Sequence, residues 1–390
     1  MRKAWAVLAC AGALGCSSNG TTGSDGGGNC TVVDGQCFFA PMHAAARTQC
    51  GDVTEYCDSS GKTAPNIACV ATPITPPAGP ATVALTGFVH VFSAGPDSKG
   101  VSIAVYDGAQ MLAAGASPSA VTPIATIASV TLDPTTQRAC DADAAKGCSI
   151  PSKTGCALPI CNDGLNGHTD SNMYCRDTGG GNSECSARLR WEARYTISNL
   201  PTNKQLVIRV TGPNGNPDQT WATIYSWNVY LSTGDPACAG PSSTDCWDKS
   251  DMANLKYQLN VSALSQTDYV NIPTVAGLSG GLPMGQGAIA GEVHDCDNFR
   301  VSNLDVGTAP AGTRFTYFNG NPVKTLPDTS RTATDQLGLY AALGLTPGKA
   351  SVVAAGTLTD GGPLVSFGTF DANVFADSVA VVNINGGKPH

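Results

Sequence analysis

Short runs of apolar residues that alternate with polar ones, or that are rich in β-branched and aromatic side chains, recur along the chain from residue 82 onward. Runs of this kind, bounded by turn residues, are typical of β-strands. They predict strands over 82–92, 101–106, 124–132, 191–198, 205–211 and 221–231, and again over 287–295, 313–318, 337–343, 349–356, 363–370 and 374–384. No segment has the period of a convincing amphipathic helix. Two sets of short strands at this density predict an all-β protein built of β-sandwiches.

The two sets of strands share landmarks in one order, which indicates a duplicated unit. EARYTISNLPTNKQLVIRVTG at 192–212 matches TDQLGLYAALGLTPGKASVVAAG at 334–356, because in each a tyrosine stands five residues before a leucine and twelve before a valine. LTGFVH at 85–90 parallels IAGEVH in the second copy, and GVSIAVYDG at 100–108 parallels GTRFTYFNG at 312–320.

Between GVSIAVYDG and Tyr195 the first copy has 67 more residues than the second copy has between GTRFTYFNG and Tyr340. Six cysteines fall inside this surplus. The surplus is poor in apolar residues, so we predict a loop excursion that its own disulfides restrain. The predicted domains are a first sandwich over 81–275, with a Cys-rich insert at about 139–186, and a second sandwich over 284–390. We expect the second sandwich to fold alone, because it has a complete set of strands.

The N-terminus, MRKAWAVLACAGALGC, has the basic Arg2 and Lys3 followed by the apolar stretch 4–14, which is an export signal too short to span a membrane. Its last four residues resemble a bacterial lipobox. In such a signal the cysteine, here Cys16, is diacylated and becomes the first residue of the mature protein, and Ser17 after it points to the outer membrane. An ordinary secretory signal that contains a cysteine is the alternative.

Residues 1–16 are therefore interpreted as a lipoprotein signal peptide, and 17–80 as a tether, a Cys-rich segment and a Pro-rich linker. On an exported chain the remaining fourteen cysteines predict disulfides. The candidates are Cys30, Cys37, Cys50, Cys57, Cys69, Cys140, Cys148, Cys156, Cys161, Cys175, Cys185, Cys238, Cys246 and Cys296. The first five form an odd set, so at least one bridge leaves it, and Cys296 is one possible partner. No CxxC pair occurs, which does not favour a zinc module.

Composition narrows the function classes. Charged residues make up 13% of the chain, with 45 glycines and 25 prolines, which favours strands joined by turns. The formal net charge of −8, without a basic cluster, excludes the electrostatic footprint of a nucleic-acid binder. No cofactor is predicted.

Two motifs suggest a catalytic function, but the sequence around each of them does not support it. GLSGG around Ser279 matches the G-x-S-x-G nucleophile elbow, but that motif works on a strand-to-helix turn and here lies in a Gly-rich linker. The HVF that begins at His90 is similar to the start of transthyretin-like hydroxyisourate hydrolases, which also need a C-terminal Tyr-Arg-Gly-Ser that this chain does not have. His90 and His294 share a repeat position, which favours packing. The chain is predicted not to be an enzyme.

Oxygen-rich clusters suggest calcium, which binds carboxylates, amides and carbonyls on loops. One cluster lies in the insert and one in the second copy: Asp163, Asn166, Asp170 and Asn172, and Asp295, Asp297, Asn298 and Asp305. Neither follows the EF-hand order, so solvated turns remain the alternative.

Aromatic residues crowd one predicted strand. Trp221, Tyr225 and Trp227 share a face at a period of two, Tyr230 opposes them, and Trp247 follows. If exposed, the rings of Trp221, Tyr225, Trp227 and Trp247 would bind a ligand by stacking. Packing in a sandwich core is the alternative.

In its motif order the chain resembles the carboxypeptidase regulatory-like domain, a transthyretin-like sandwich. The resemblance rests on G-x-V near the start, the V-Y-D/N-G turn, and D-x-x-G-x-Y-x-x-x-x-L-x-P-G, which Asp335, Gly338, Tyr340, Leu345 and Pro347 fit closely. It implies a Greek-key fold of about seven strands in each copy, and roles in structural spacing, adhesion or binding at cell surfaces.

These observations predict a lipid-anchored protein of the outer membrane, on its periplasmic or extracellular face, that acts as a non-catalytic structural or adhesion-type module. The alternative is a carbohydrate- or peptide-binding accessory protein of the envelope, and a hydrolase stands third. The predicted partners are the membrane, through the lipid anchor, and envelope proteins or polysaccharide, with no nucleic acid.

Overall fold

The computed structural model describes residues 30–50, 57–70, 81–92, 98–130, 175–179, 182–185, 193–202, 204–231, 249–251, 256–296, 299–320 and 325–385. In these ranges the chain is built of short strands with two short helices, which confirms the all-β prediction. None of the helices described is long and apolar enough to cross a membrane.

Among the described residues, the strands up to residue 263 are β1 Thr31–Val33, β2 Gln36–Phe38, β3 Ala46–Cys50, β4 Cys57–Thr63, β5 Thr82–Val91, β6 Ser102–Asp107, β7 Ala125–Ile127, β8 Cys175–Gly179, β9 Asn182–Cys185, β10 Arg194–Pro201, β11 Gln205–Thr211, β12 Thr223–Tyr230, β13 Lys249–Asp251, β14 Lys256–Gln258 and β15 Val261–Ala263. The second half continues with β16 Gly287–His294, β17 Val301–Ser302, β18 Asp305–Ala309, β19 Arg314–Phe318, β20 Pro327–Asp328, β21 Leu339–Leu345, β22 Gly348–Thr357, β23 Leu364–Val374, β24 Ser378–Val382 and β25 Ile384–Asn385. The helices are α1 Gly108–Ala113 and α2 Gln266–Val275.

Three sheets form the body of the molecule. The first sheet has the order β10-β5-β14-β13, with β15 also on β5. The second sheet, called the shared sheet because it contains strands of both copies, has ten strands in the order β20-β19-β21-β16-β24-β12-β11-β6-β7, with β25 also on β16. The third sheet is β18-β22-β23. Smaller sheets are the hairpins β1-β2 and β8-β9 and the set β17-β3-β4.

The shared sheet has a separate apolar core on each face. The first core joins it to the first sheet, and the second core joins it to the third sheet. On β12, Ile224 lies in the first core and Tyr225 in the second, and on β21 Ala341 and Ala342 divide in the same way. Successive side chains of a strand point to opposite faces, so β12 and β21 are buried on both sides.

One strand joins the two halves of the chain. β24, near the C-terminus, pairs in parallel with β12 on one side and with β16 on the other. The two predicted sandwiches therefore share a continuous sheet.

The duplication is visible in the strand pairing. β5 has β10 antiparallel on one side and β14 and β15 parallel on the other, and β16 has β21 antiparallel and β24 and β25 parallel. Tyr195 stands opposite Gly87 in the first copy, as Tyr340 stands opposite Gly291 in the second.

The predicted equivalence of GVSIAVYDG at 100–108 and GTRFTYFNG at 312–320 is wrong. β6 pairs with β11, whereas β19, which carries the matching sequence, pairs with β21. The place beside β22 that corresponds to β6 is taken by β18. Similar V-Y-D-G and Y-F-N-G turns therefore end strands with different neighbours.

The helices were not predicted. α1 has six residues, too few to display a helical period, and Asp107 caps it by accepting a hydrogen bond from the Gln110 N–H at 3.0 Å. α2 begins after Ser265, which accepts from the Asp268 N–H at 3.0 Å, a serine N-cap. Pro273 lies inside this helix, and its presence weakened the helical signal in the sequence.

Candidate functional site

The hairpin β1-β2 covers the outer face of the third sheet. Cys30 and Cys37 form a disulfide in this hairpin. Its buried Phe38 and Val33 pack against Val353 and Ala355 of β22, whose neighbours Val352 and Ala354 point the other way into the second core. The Asp34 carboxylate at the hairpin turn accepts hydrogen bonds from the hydroxyls of Ser366 (2.5 Å) and Thr369 (2.7 Å).

A second attachment lies further along the N-terminal segment, defined as the described residues between 30 and 70. Cys69 and Cys296 form a disulfide, the pairing that the odd cysteine count left open. Beside it Arg47 donates to the buried Asp295 carboxylate at 2.6 Å. The backbone N–H groups of Asn66 and Phe299 donate to the same carboxylate, each at 3.0 Å. A buried charge with this many donors fixes the segment to the second half of the chain.

A charged cluster adjoins this attachment on β16. Arg300 holds Glu292 through two hydrogen bonds of 3.0 and 3.2 Å, and His294 Nε2 lies 2.9 Å from Glu292 Oε2. Burial by itself would raise the pKa of Glu292, but the Arg300 guanidinium and the His294 ring lower it well below its usual range. Glu292 is therefore a firmly ionised carboxylate.

Asp335 is a buried carboxyl group nearby, with 2% of its surface exposed. Its Oδ1 accepts from the Leu337 N–H at 2.8 Å, which shapes the turn before β21, while its Oδ2 is buried without a hydrogen-bond partner. Burial raises the pKa of Asp335, and backbone N–H groups and the charges of Arg331 and Arg300 offset only part of that increase.

The aromatic residues of β12 and its approach are in the cores. Trp221, Tyr225 and Trp227 are 2%, 4% and 3% exposed, so they do not form the exposed ligand face that the sequence suggested. Phe375 explains the burial of the latter two, because its ring lies 4.6 Å from that of Tyr225 and 6.2 Å from that of Trp227. The packing alternative is therefore correct for these three, and Trp247 lies outside the described residues.

Arg209 makes an unusual contact with two buried tyrosines. It lies on β11, with Tyr225 opposite it on β12. Its guanidinium carbon is 5.7 Å from the centre of the Tyr106 ring, and its positive charge also acts on the Tyr225 hydroxyl. Its Nε is buried without a hydrogen-bond partner. Burial raises the pKa of both tyrosines, which keeps the hydroxyls neutral, and the positive charge of Arg209 partly opposes that effect.

Several predicted residues lie outside the described part of the chain. These are Cys16, the insert cluster Asp163, Asn166, Asp170 and Asn172, the cysteines Cys140, Cys148, Cys156, Cys161, Cys238 and Cys246, and Asp297 and Asn298. Within the described residues no group of three His, Cys, Asp or Glu side chains is arranged to hold a metal ion. The backbones of Cys50 and Cys57 pair across β3 and β4, and those of Cys175 and Cys185 across β8 and β9.

The two catalytic motifs have structural positions. Ser279 follows α2 and precedes β16, the reverse of the strand-turn-helix order that an elbow needs. His90 lies on β5 opposite Ser262, and His294 lies on β16 opposite Asn385, so both occupy the same place beside a parallel strand.

Sequence reasoning did not find Arg209 or the Arg47–Asp295 pair. A lone arginine inside an apolar strand, as in QLVIRVT, was the available signal for Arg209. The Arg47–Asp295 contact joins residues 248 positions apart, and no local pattern marks it.

No protein-family model and no curated protein matches the chain. Among solved structures, a variant of the shaft pilin SpaA from Lactobacillus rhamnosus GG is 10% identical, covering 78% of this chain and 97% of that chain at a TM-score of 0.19. The unsubstituted pilin is 9% identical, covering 77% and 96%, at a TM-score of 0.16. TM-scores this low support no conclusion about function.

Proposed function

We propose that this chain is a non-catalytic structural module of the bacterial cell surface, anchored to the outer membrane through a lipid on Cys16. The observation that carries this proposal is the attachment of the N-terminal segment to the second half of the chain by the Cys69–Cys296 disulfide and the Arg47–Asp295 pair. Disulfides persist in exported proteins, which agrees with the export signal. The resemblance to carboxypeptidase regulatory-like domains supports the same role.

The attachment of the N-terminal segment suggests how such a module would be held at the membrane. Cys30 lies fourteen positions after Cys16, a reach of at most about 50 Å when fully extended. Because the N-terminal segment is attached to the second half, tension on the anchor would pass first through the hairpin β1-β2 into the third sheet and then through Cys69–Cys296 to the end of β16. The second copy would then lie nearer the membrane than the first, the reverse of their order in the chain.

Cell fractionation tests the anchor. Cys16→Ala should move the protein from the detergent-requiring membrane fraction into a soluble fraction, and should abolish incorporation of labelled palmitate. Cys10→Ala is the matched control, because it removes a cysteine from the same signal and should change neither result. A Cys16→Ala protein that still needs detergent and still takes up label would refute the lipid anchor.

A binding role is the second candidate function, in which the protein would recognise an envelope polysaccharide or peptide. The aromatic strip that the sequence offered for it is buried at Trp221, Tyr225 and Trp227. Arg209 is the observation that now favours this role, because its charge faces tyrosine side chains and, among the residues that the structure describes, no carboxylate.

A further inference from the structure

We infer that Arg209 is the anchor of a binding site for a carboxylate monoanion on the first copy. This inference goes beyond the proposed structural role and does not depend on lipid anchoring. It rests on the charge balance around Arg209 and on the groups that hold its guanidinium.

The charge of Arg209 is not neutralised by any residue that the structure describes. Arg47, Arg300 and Arg331 each lie beside a carboxylate. Arg314 donates to the Ala276 carbonyl at 2.9 Å. Arg209 stands apart from these, because its contacts are the Tyr106 ring and the Tyr225 side chain.

An unneutralised charge in this position is costly. Arg209 is half-buried and its Nε has lost contact with water without gaining a hydrogen bond. A buried donor without a partner destabilises the fold by its full desolvation cost. The neighbouring strand position on the same face, Val207, is apolar and fully buried, so packing alone does not require a charge here.

The tyrosines and a glycine orient the guanidinium. The guanidinium lies over the Tyr106 ring, and Tyr225 stands opposite Arg209 on β12. Gly215, in the turn between β11 and β12, has a left-handed φ of 81°, and a side-chain carbon there would lie 2.8 Å from Nη2 of Arg209. A larger residue at 215 would therefore displace this edge of the guanidinium. A planar group held in this way binds a carboxylate through two parallel hydrogen bonds.

The balance of charge favours a monoanion. Arg209 is one positive charge, and the nearby Lys204 is already paired with Asp107. A doubly charged phosphate would leave one negative charge uncompensated, whereas a carboxylate would be matched. The tyrosine hydroxyls stay neutral and can donate to the same anion, because burial raises the pKa of each.

Nitrogen-15 NMR of the chain from Ser17 onward provides the test. The Nε–H of a buried arginine gives a distinct signal. The signal that disappears in Arg209→Lys is thereby assigned to Arg209. Titration with acetate or with galacturonate should shift this signal to a plateau, and galactose, the uncharged counterpart of galacturonate, should not shift it. Inorganic phosphate should shift it with an affinity about tenfold weaker, because charge matching is poorer.

Variants separate this site from general charge effects. Arg209→Met should reduce galacturonate affinity about tenfold or more, as expected for loss of a charge-assisted hydrogen-bond pair, and Arg331→Met, a surface arginine on the second copy, should leave it unchanged. Arg209→Lys keeps the charge without the planar group and should recover only part of the affinity. An Nε–H signal that drifts linearly with acetate and galacturonate, or that responds equally to galactose, would overturn the inference.

Discussion

The hydroxyl of Tyr340 donates a 2.5 Å hydrogen bond to the backbone carbonyl of Val382, across 42 residues of sequence. The first copy has the same contact, since the Tyr195 hydroxyl donates to the Leu259 carbonyl at 2.6 Å. In the first copy the accepting carbonyl of Leu259 lies between the short strands β14 and β15. In the second copy that of Val382 lies at the end of β24, before β25. The tyrosine therefore satisfies a carbonyl that leaves the strand ladder there.

Removal of this hydrogen bond should destabilise the protein. We expect Tyr340→Phe and Tyr195→Phe each to lower the free energy of unfolding by about 1–3 kcal/mol, because a buried carbonyl is left without its donor. Tyr269→Phe is the control for removing a half-buried hydroxyl elsewhere, and should cost less than 1 kcal/mol, roughly the value for a typical surface change. Urea denaturation followed by fluorescence measures all three.

The glycine opposite each tyrosine should be still less tolerant. At Gly291 an added side-chain carbon would overlap the Val382 carbonyl and lie 3.0 Å from the Tyr340 hydroxyl. Gly291→Ala should therefore destabilise more than Tyr340→Phe in the same denaturation experiment. Equal stability of Gly291→Ala and the unmodified chain would show that the carbonyl does not need this close approach.

The longer strands from residue 82 onward were predictable from local pattern. QLVIRVT at 205–211 and the apolar run of β22 are long, β-branched stretches, and each forms a strand close to the predicted bounds. β18 and β13 to β15 were missed, because strands of three to five residues with small or polar side chains carry no clear period. The pairing of β24 with both β12 and β16 is a long-range relationship that no local pattern encodes.

The Cys69–Cys296 disulfide should contribute more stability than the Cys30–Cys37 disulfide. The sequence separations are 227 and 7 residues, and closing a longer loop removes more freedom from the unfolded chain. We expect the double variant Cys69→Ser, Cys296→Ser to lose about 2–5 kcal/mol and to become sensitive to proteases within the N-terminal segment. The double variant Cys30→Ser, Cys37→Ser is the matched control.

Thermal melts with and without reductant, combined with limited proteolysis, distinguish the two bridges. If the two double variants lost the same stability and remained equally resistant to protease, the attachment of the N-terminal segment would not depend on Cys69–Cys296. The Arg47–Asp295 pair would then have to hold the segment, and Arg47→Gln would show it by a loss of about 3–5 kcal/mol.

Glu292 should make stability depend on acid pH. Its pKa in the folded chain lies below the ordinary value of 4.5, because Arg300 and His294 outweigh the opposing effect of burial. A lowered folded pKa gives stability that is fully present above about 4.5 and is lost as the pH falls toward the folded value. Glu292→Gln should therefore cost about 1–3 kcal/mol at pH 7 and progressively less below pH 4.5.

Asp335 should show the opposite dependence. Burial raises its pKa above the ordinary value of 3.8, so the folded chain binds its proton more tightly than the unfolded chain. The cost of ionising this buried group is absent below pH 3.8 and appears as the pH rises through the folded pKa. Asp335→Asn, which keeps an oxygen for the Leu337 N–H, should stabilise the protein at pH 7 and have little effect near pH 3. Urea denaturation across this range would refute both assignments if the two variants shifted stability in the same direction at every pH.

The candidate site shows the limit of sequence reasoning in a different way. Tyr225 was identified as a candidate ligand residue from its aromatic strand, but the contact that gives it a possible role is with Arg209 on the next strand. Spacing along one strand reveals which side chains share a face, whereas burial depends on what packs against that face. Phe375, which covers Tyr225 and Trp227, directly follows β23 and stands 150 positions after Tyr225 in the chain.

Residues 284–390 in isolation provide the sharpest test of the shared sheet. The sequence led us to expect this part to fold alone, but in the structure β24 pairs with β12 through five residues, from Ser378 to Val382. Isolation would leave that edge of β24 without its partner, and would uncover Phe375, Val353 and Ala355, which contact parts of the chain outside 284–390. An open edge beside an apolar surface favours pairing with another chain.

We therefore expect the fragment, carrying Cys296→Ser, to self-associate, while the chain from Ser17 onward with the same substitution remains monomeric. Light scattering after gel filtration measures the difference. In the longer chain Phe375→Ala should lower the free energy of unfolding by about 3–5 kcal/mol, because its ring fills the space against Tyr225 and Trp227. A monomeric fragment that unfolds cooperatively at the same urea concentration as the longer chain would mean that the β12–β24 pairing contributes nothing to the second sandwich. The two halves would then be independent units joined by an incidental contact.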